Sequence, residues 1–252
     1  MALLSTIRDL HRRKGRERRG LALAEGVRLV EEMLAAGVPC KGVAIAPALE
    51  STPRGMQLHQ KLTARGAPVE TVSDADLVAL AATEHPQGIV AVYEVRAWSL
   101  DELTPAVKRP VVVLDAVQDP GNVGTIARTA WAFGAAGIVA LPGTADLSNP
   151  KAVRGAMGAL FHLPHRHATD EELARLLTKS GAALWVTTLD GMPIASATAD
   201  EPVALAFGNE GAGVRPELLS RASRRVTIPI RPGTESLNVA VAAGIALYQL
   251  IQ

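Results

Sequence analysis

Three short stretches of this chain hold residues whose types and spacing could do chemistry. The first is Asp119-Pro-Gly-Asn-Val-Gly-Thr-Ile-Ala-Arg128, directly behind the apolar run Val111–Leu114. A buried strand followed by Pro-Gly predicts a type II turn with Gly121 supplying positive φ, and Asn122 reads as the cap of the helix that follows. Val123, Ile126, Ala127 and Ala130 fall on one helical stripe, and Arg128 projects away from it. Its guanidinium is either a solvated surface cation or, since the helix starts at the carboxyl end of a strand, a group aimed at a ligand.

The second stretch, Gly208-Asn-Glu-Gly-Ala-Gly213, follows the apolar run Val203–Phe207. Its glycines would let backbone approach a ligand closely, and Glu210 among them could orient a hydroxyl or a cation. The order G-x-x-G-x-G is not the dinucleotide fingerprint, and no Gly-Lys-Ser/Thr makes it a P-loop. Alone it reads better as a surface turn. The third stretch, Arg231-Pro-Gly-Thr-Glu-Ser-Leu-Asn238, leads into the closing apolar segment, where Ser236 or Asn238 could simply cap a helix. His162, His165 and His167 cluster around Pro164, but no Asp, Glu or Cys completes a metal set at useful spacing.

The elements that must position these loops alternate. Strands are predicted at Val111–Leu114, Gly137–Leu141, Ala183–Thr188, Val203–Phe207 and Val226–Pro229. Helices are predicted at Asn122–Phe133, Pro150–Leu160, Asp170–Lys179, Pro216–Arg221 and Asn238–Leu250. Such apolar strands between helices predict a parallel sheet covered on both faces, with ligands at the carboxyl ends of its strands. Before residue 96, strands near Leu21–Ala24, Val43–Ala46, Val69–Val72 and Gly88–Tyr93 alternate with helices, which predicts a small α/β domain without a nucleophile–base pair. The polar, Pro-bounded stretch 96–109 is expected to link a domain over 1–95 to one over 110–252.

The 252 residues are 48% hydrophobic and 20% charged, a globular composition. The lone Cys40 excludes an internal disulfide and fits a reducing compartment. Met1–Leu4 is too short for the apolar core of a secretory signal, and Leu237–Leu250 is too short to span a bilayer, so the expected location is the cytoplasm. Net charge is +1, unevenly spread. Residues 1–20 carry seven Lys and Arg against two acids, a balance of +5, so the remainder stands at −4. Arg12, Arg13, Lys14, Arg16, Arg18 and Arg19 in this basic arm are candidate phosphate contacts, the alternative being a solvated, frayed terminus. Aromatics make up 3%, too few for a base-stacking platform, so any nucleic acid is read by shape and backbone.

Together and in order, the three loops resemble the three motifs of SpoU-type RNA ribose methyltransferases of the SPOUT superfamily. Asp119–Ala130 is similar to the first, Phe207–Gly211 to the second, and Ile228–Ile230 with Ser236–Ile245 to the third. Arg18–Gly26 resembles part of the ribosomal-protein-like substrate-binding domain fused ahead of that catalytic domain. Ala240 departs by standing where relatives often have Ser. The resemblance implies an α/β fold with a deep C-terminal trefoil knot, S-adenosylmethionine bound in the knot, and a homodimer whose active site draws on both subunits. By position it implies that Gly208, Ile228 and Leu237 hold the cofactor, and that Asn122, Arg128, Glu210, Ser236 and Asn238 line the catalytic centre, with Arg128 either the base that takes the ribose hydroxyl proton or a clamp for the target phosphate and ribose. It implies methyl transfer to a ribose 2′-hydroxyl of structured RNA, ribosomal RNA favoured over transfer RNA. The alternatives are a non-catalytic RNA-binding or ribosome-assembly protein on the same scaffold and, disfavoured by the missing fingerprint, a nicotinamide-dependent oxidoreductase.

Overall fold

The structure, a computed structural model, describes residues 2–251. It divides into two compact units: residues up to 96 together with 146–161, and residues 97–145 together with 162 onward. In the first unit, α1 (Ala2–Leu10) and α2 (Arg13–Arg19) precede β1 (Leu21–Glu25), α3 (Val27–Ala35), β2 (Cys40–Ile45), α4 (Pro53–Ala64), β3 (Val69–Thr71), α5 (Asp74–Leu80) and β4 (Ile89–Glu94). The sheet runs β1-β4-β2-β3, with β4 antiparallel to both neighbours and β2 parallel to β3. Ile7 and Leu10 of α1 and Leu77 and Leu80 of α5 pack over Val90 and Val92 of β4.

The basic arm is therefore helical and docked. The apolar i, i+3 pair Ile7 and Leu10 gives α1 a face to bury. Gly15 admits the turn into α2, since a Cβ there would stand 2.2 Å from the Asp9 carbonyl oxygen.

The second unit contains β5 (Val111–Asp115), α6 (Pro120–Ala132), β6 (Gly137–Ala140), β7 (His165–His167), α8 (Asp170–Ser180), β8 (Ala183–Pro193), β9 (Val203–Gly208), α9 (Pro216–Leu219), β10 (Arg224–Thr227) and α10 (Val239–Ile251). All six strands are parallel, in the order β10-β8-β9-β5-β6-β7. The order matters because β5 and β9 are neighbours, with Asp115 opposite Gly208. The loops that leave these two strands emerge side by side.

Two expected boundaries move. The stretch 97–110 is not a free connector: Trp98 and Leu103 are buried among Val111, Val113 and Val139, so it belongs to the second unit. Residues 146–161, with α7 (Pro150–Gly155), pack into the first unit although they lie far along the chain. The Asp146 carboxylate meets the Arg16 guanidinium at 2.6 Å, and the Phe161 ring stands edge-on to Tyr93 with centroids 5.2 Å apart.

Candidate active site

The β5–α6 connection is built differently from the turn its sequence predicts. Asp119, not Asn122, caps α6: its Oδ1 accepts the Gly121 N–H at 2.7 Å, and Pro120 takes the first helical position, where a missing N–H costs nothing. Gly121 is helical, and the positive φ sits at Ala116, with φ 59°. That unfavourable conformation for a Cβ-bearing residue is held by a bond from Asn209 Nδ2 to the Ala116 carbonyl at 2.9 Å. Relieved of capping, the Asn122 side chain turns outward to other partners.

The β9 loop is folded on itself and bolted to β5. Asn209 and Gly213 exchange backbone hydrogen bonds at 3.0 and 2.9 Å, and Asn209 Oδ1 accepts the N–H groups of Gly211 and Ala212. Fully buried Asp115 accepts both the Arg215 N–H at 2.7 Å and its Nε at 2.5 Å, and Arg215 also reaches Asp170 at 2.9 Å. Asn209, Asp115 and Arg215 were not singled out in the sequence. The usable signal was a carboxylate closing an otherwise apolar strand, a position that needs a buried partner.

That frame holds Glu210 over the neighbouring loop. Its carboxylate accepts the N–H groups of Gln118 and Asp119 at 3.1 and 3.2 Å and Asn122 Nδ2 at 3.0 Å. Burial pushes the Glu210 carboxyl up, but the bonds from Asn122 and from these backbone N–H groups outweigh it and hold the group below its ordinary value. It is anionic at neutral pH and a poor base, which suits an organiser better than a proton acceptor. Asn122 Oδ1 in turn accepts Asn238 Nδ2 at 3.0 Å, while Asn238 Oδ1 caps α10 by accepting the N–H groups of Ala240 and Val241. Three loops distant in sequence thus meet through one chain, Glu210–Asn122–Asn238.

Beside this chain lies a cavity of about 520 Å³ at the carboxyl ends of the strands, within the size range of cofactor sites. Gly208, Ile228 and Leu237, expected as cofactor contacts, line it, and so do Glu210 and Ser236. Gly208 does more than line it. A Cβ there would stand 2.1 Å from the Gly213 carbonyl carbon, so the hairpin itself requires the glycine. Thr188, unremarked in the sequence, also lines the cavity, and its Oγ1 is buried with no hydrogen-bond partner among the described residues. An orphaned hydroxyl beside an apolar wall of Ile228 and Leu237 fits a ligand with both apolar and hydrogen-bonding atoms.

Arg128 is not brought to this chain. It is exposed, with no partner among the described residues, and lies six residues beyond Asn122, roughly 9 Å along the helix axis and on another face. The six basic residues of the N-terminal segment separate as well. Arg16 is buried and donates to Asp146, Leu10 and His11, so the expectation of a phosphate contact there is replaced by an internal ion pair. Arg18 and Arg19 both reach Asp9 at 2.7 Å and Arg13 pairs with Glu17, all with their guanidinium groups exposed. Arg12 and Lys14 are exposed without partners among the described residues. His162 stacks on Trp131 at 5.2 Å, and His165 Nδ1 is hydrogen-bonded to the Leu163 carbonyl.

A parallel α/β unit with a cavity at its strand ends, closed by loops locked through side-chain amides and one carboxylate, has the arrangement of proteins that bind a small molecule at the carboxyl ends of their strands. Residues 109–248 match the SpoU rRNA Methylase family and residues 4–91 match the MRM3-like substrate binding domain. The chain belongs to the SpoU rRNA methylase family. It is 36% identical over 244 residues to the 23S rRNA (guanosine(2553)-2′-O)-methyltransferase RlmP of Bacillus subtilis, covering 96% of this chain and 93% of that one. Among solved structures, the AdoMet-bound rRNA methyltransferase from Sinorhizobium meliloti superposes with a TM-score of 0.87 at 33% identity, over 98% of this chain and 93% of the other. AviRb from Streptomyces viridochromogenes, a SpoU methyltransferase in complex with AdoMet, does so at 0.88 and 27%, over 100% and 97%.

Proposed function

We propose that this chain transfers a methyl group from S-adenosylmethionine to a ribose 2′-hydroxyl of ribosomal RNA, acting in the cytoplasm as a homodimer. The observation that carries the reading is the Glu210–Asn122–Asn238 chain beside a cavity with an orphaned hydroxyl. The relatives support the rest: RlmP by its name acts on 23S rRNA, and two structural neighbours were solved with AdoMet. Gly208, Ile228 and Leu237 would hold the cofactor, with the Thr188 hydroxyl available to a polar ligand atom. When bound, the cofactor supplies an electrophilic methyl carbon.

The residues of the chain then do the positioning. Glu210 fixes the Gln118–Asn122 backbone, and Asn122, Asn238 and Ser236 present polar groups that orient the ribose, so approach geometry supplies much of the acceleration. Arg128 serves as a clamp for the target phosphate and ribose. A guanidinium stays protonated far above neutral pH, and a nearby phosphate favours its charged form, so the hydroxyl proton leaves late, to water. Because Arg128 stands apart from the amide chain of its own subunit, we assign it to the site of the second subunit. The test is methyl transfer from labelled cofactor to rRNA of cells lacking this gene, with the modified ribose mapped. A protein that binds S-adenosylhomocysteine and RNA yet leaves every ribose unmodified would instead be the non-catalytic assembly factor.

A further inference from the structure

The first unit holds a second cavity, of about 520 Å³, walled by α3, α4, the turn before β4 and α7. Its lining mixes unspent donors and acceptors. Among the described residues the Arg28 guanidinium and the His85 ring have no partner, and the Glu32 carboxylate accepts no side-chain hydrogen bond, its charge being felt by Arg54, which lines the same cavity and pairs with Glu31. Gln87 spends its Oε1 on the Val27 N–H at 3.1 Å, which aims its amide nitrogen elsewhere. Arg154 Nη1 is buried without a hydrogen bond, because Glu25, at 3.9 Å, is too distant and already accepts the Ala82 N–H and the Thr83 hydroxyl. A buried donor left unsatisfied calls for a ligand atom.

The rim adds a second sign. Met157 closes α7 in the left-handed region, φ 50°, and the residue is 45% exposed. Glycine usually takes such a position, and a flexible thioether held there at the edge of a polar cavity is a surface for a flat ring.

We infer that this cavity takes an unpaired guanine nucleotide of the RNA, with Glu32 accepting from the base edge, Arg28 and Arg154 donating to the base or its phosphate, and Met157 lying against the ring. Guanine presents two adjacent donors that one carboxylate can receive, and two adjacent acceptors, O6 and N7, that suit a guanidinium fork. The other three bases do not offer both. Single bases splayed from loops are the usual targets of sequence-specific RNA reading. The assignment rests on the RNA-methylating reading above and gives that reading a base-specific anchor outside the catalytic unit.

The test uses the full chain and 5′-labelled pentaribonucleotides UUGUU, UUAUU, UUCUU and UUUUU in low-salt anisotropy titrations, with GMP as competitor. UUGUU should bind about tenfold more tightly than the other three and more tightly than GMP. Glu32→Gln, at an exposed position, should keep the melting temperature and reduce the preference for guanine to about twofold or less. Met157→Gly relieves the backbone and keeps the fold, and it should weaken UUGUU several-fold. Equal binding of the four pentamers, no binding, GMP binding as well as UUGUU, or an unchanged guanine preference in Glu32→Gln would each overturn the inference. Methyl transfer by the unaltered chain to rRNA is scored separately, so the loss of this site and the loss of the enzymatic reading are distinct results.

Discussion

Asn238 uses both ends of its amide at once, the oxygen to cap α10 and the nitrogen to hold Asn122. No other side chain of that length does both. Asn238→Asp keeps the cap, so thermal stability should change by less than about 0.5 kcal/mol, but it sets an acceptor against Asn122 Oδ1. Methyl transfer should fall roughly 100-fold, the scale of loss when a positioning contact slips. Equal losses of melting temperature and activity would mean that Asn238 only caps. Glu210 makes a related expectation about pH. Its folded pKa lies below the ordinary carboxylate value, so its contribution is present above the unfolded pKa and is lost as pH falls through the folded one. No limb of the pH–rate profile between about pH 5 and 9 should therefore trace to Glu210, and Glu210→Gln should flatten the acid unfolding limb below the ordinary carboxylate range. An acid limb near neutrality that vanishes in Glu210→Gln would make it the proton acceptor.

Among elements, the strand–helix alternation was legible because parallel strands are apolar throughout and their helices carry a periodic stripe. The loops were legible as residues but not as geometry. Asp119-Pro-Gly-Asn offers two capping residues, and local propensity does not choose between them. The choice is made by Glu210, 88 residues away, which claims the Asn122 amide. Gly208 was expected to serve the cofactor by close approach, whereas the hairpin Asn209–Gly213 excludes any Cβ there on its own account. Gly208→Ala should thus lower stability by about 1–3 kcal/mol even without cofactor, read as a fall in melting temperature. Unchanged melting with lost S-adenosylhomocysteine binding would return the glycine to a purely ligand-facing role.

At the scale of the whole molecule, two features lay beyond local reading. One is the pairing of Arg16 with Asp146, 130 residues apart, which turns part of a basic run into a buried tie. Arg16→Ala should cost about 3–5 kcal/mol by leaving Asp146 uncompensated, whereas Arg12→Ala with Lys14→Ala should leave melting unchanged and reduce the salt dependence of RNA binding. The other is where Arg128 acts. Val241, Ile245 and Tyr248 form an i, i+4, i+7 stripe on α10, 53%, 41% and 52% exposed, the kind of face a second copy would cover. If Arg128 of one subunit serves the amide chain of the other, two inactive variants can repair each other. Arg128→Ala and Asn238→Ala chains, each inactive alone, should regain about a quarter of the activity when mixed, unfolded and refolded together: half the dimers are mixed, and each carries one intact site of two. If both residues act within one subunit, no mixed dimer contains an intact site and the mixture stays inactive. If the proposed two-subunit site is right, Ile245→Asp should yield monomers by sedimentation, and those monomers should lose transfer while keeping the Glu210–Asn122–Asn238 chain, since on that reading the second copy brings the clamp and not the chain.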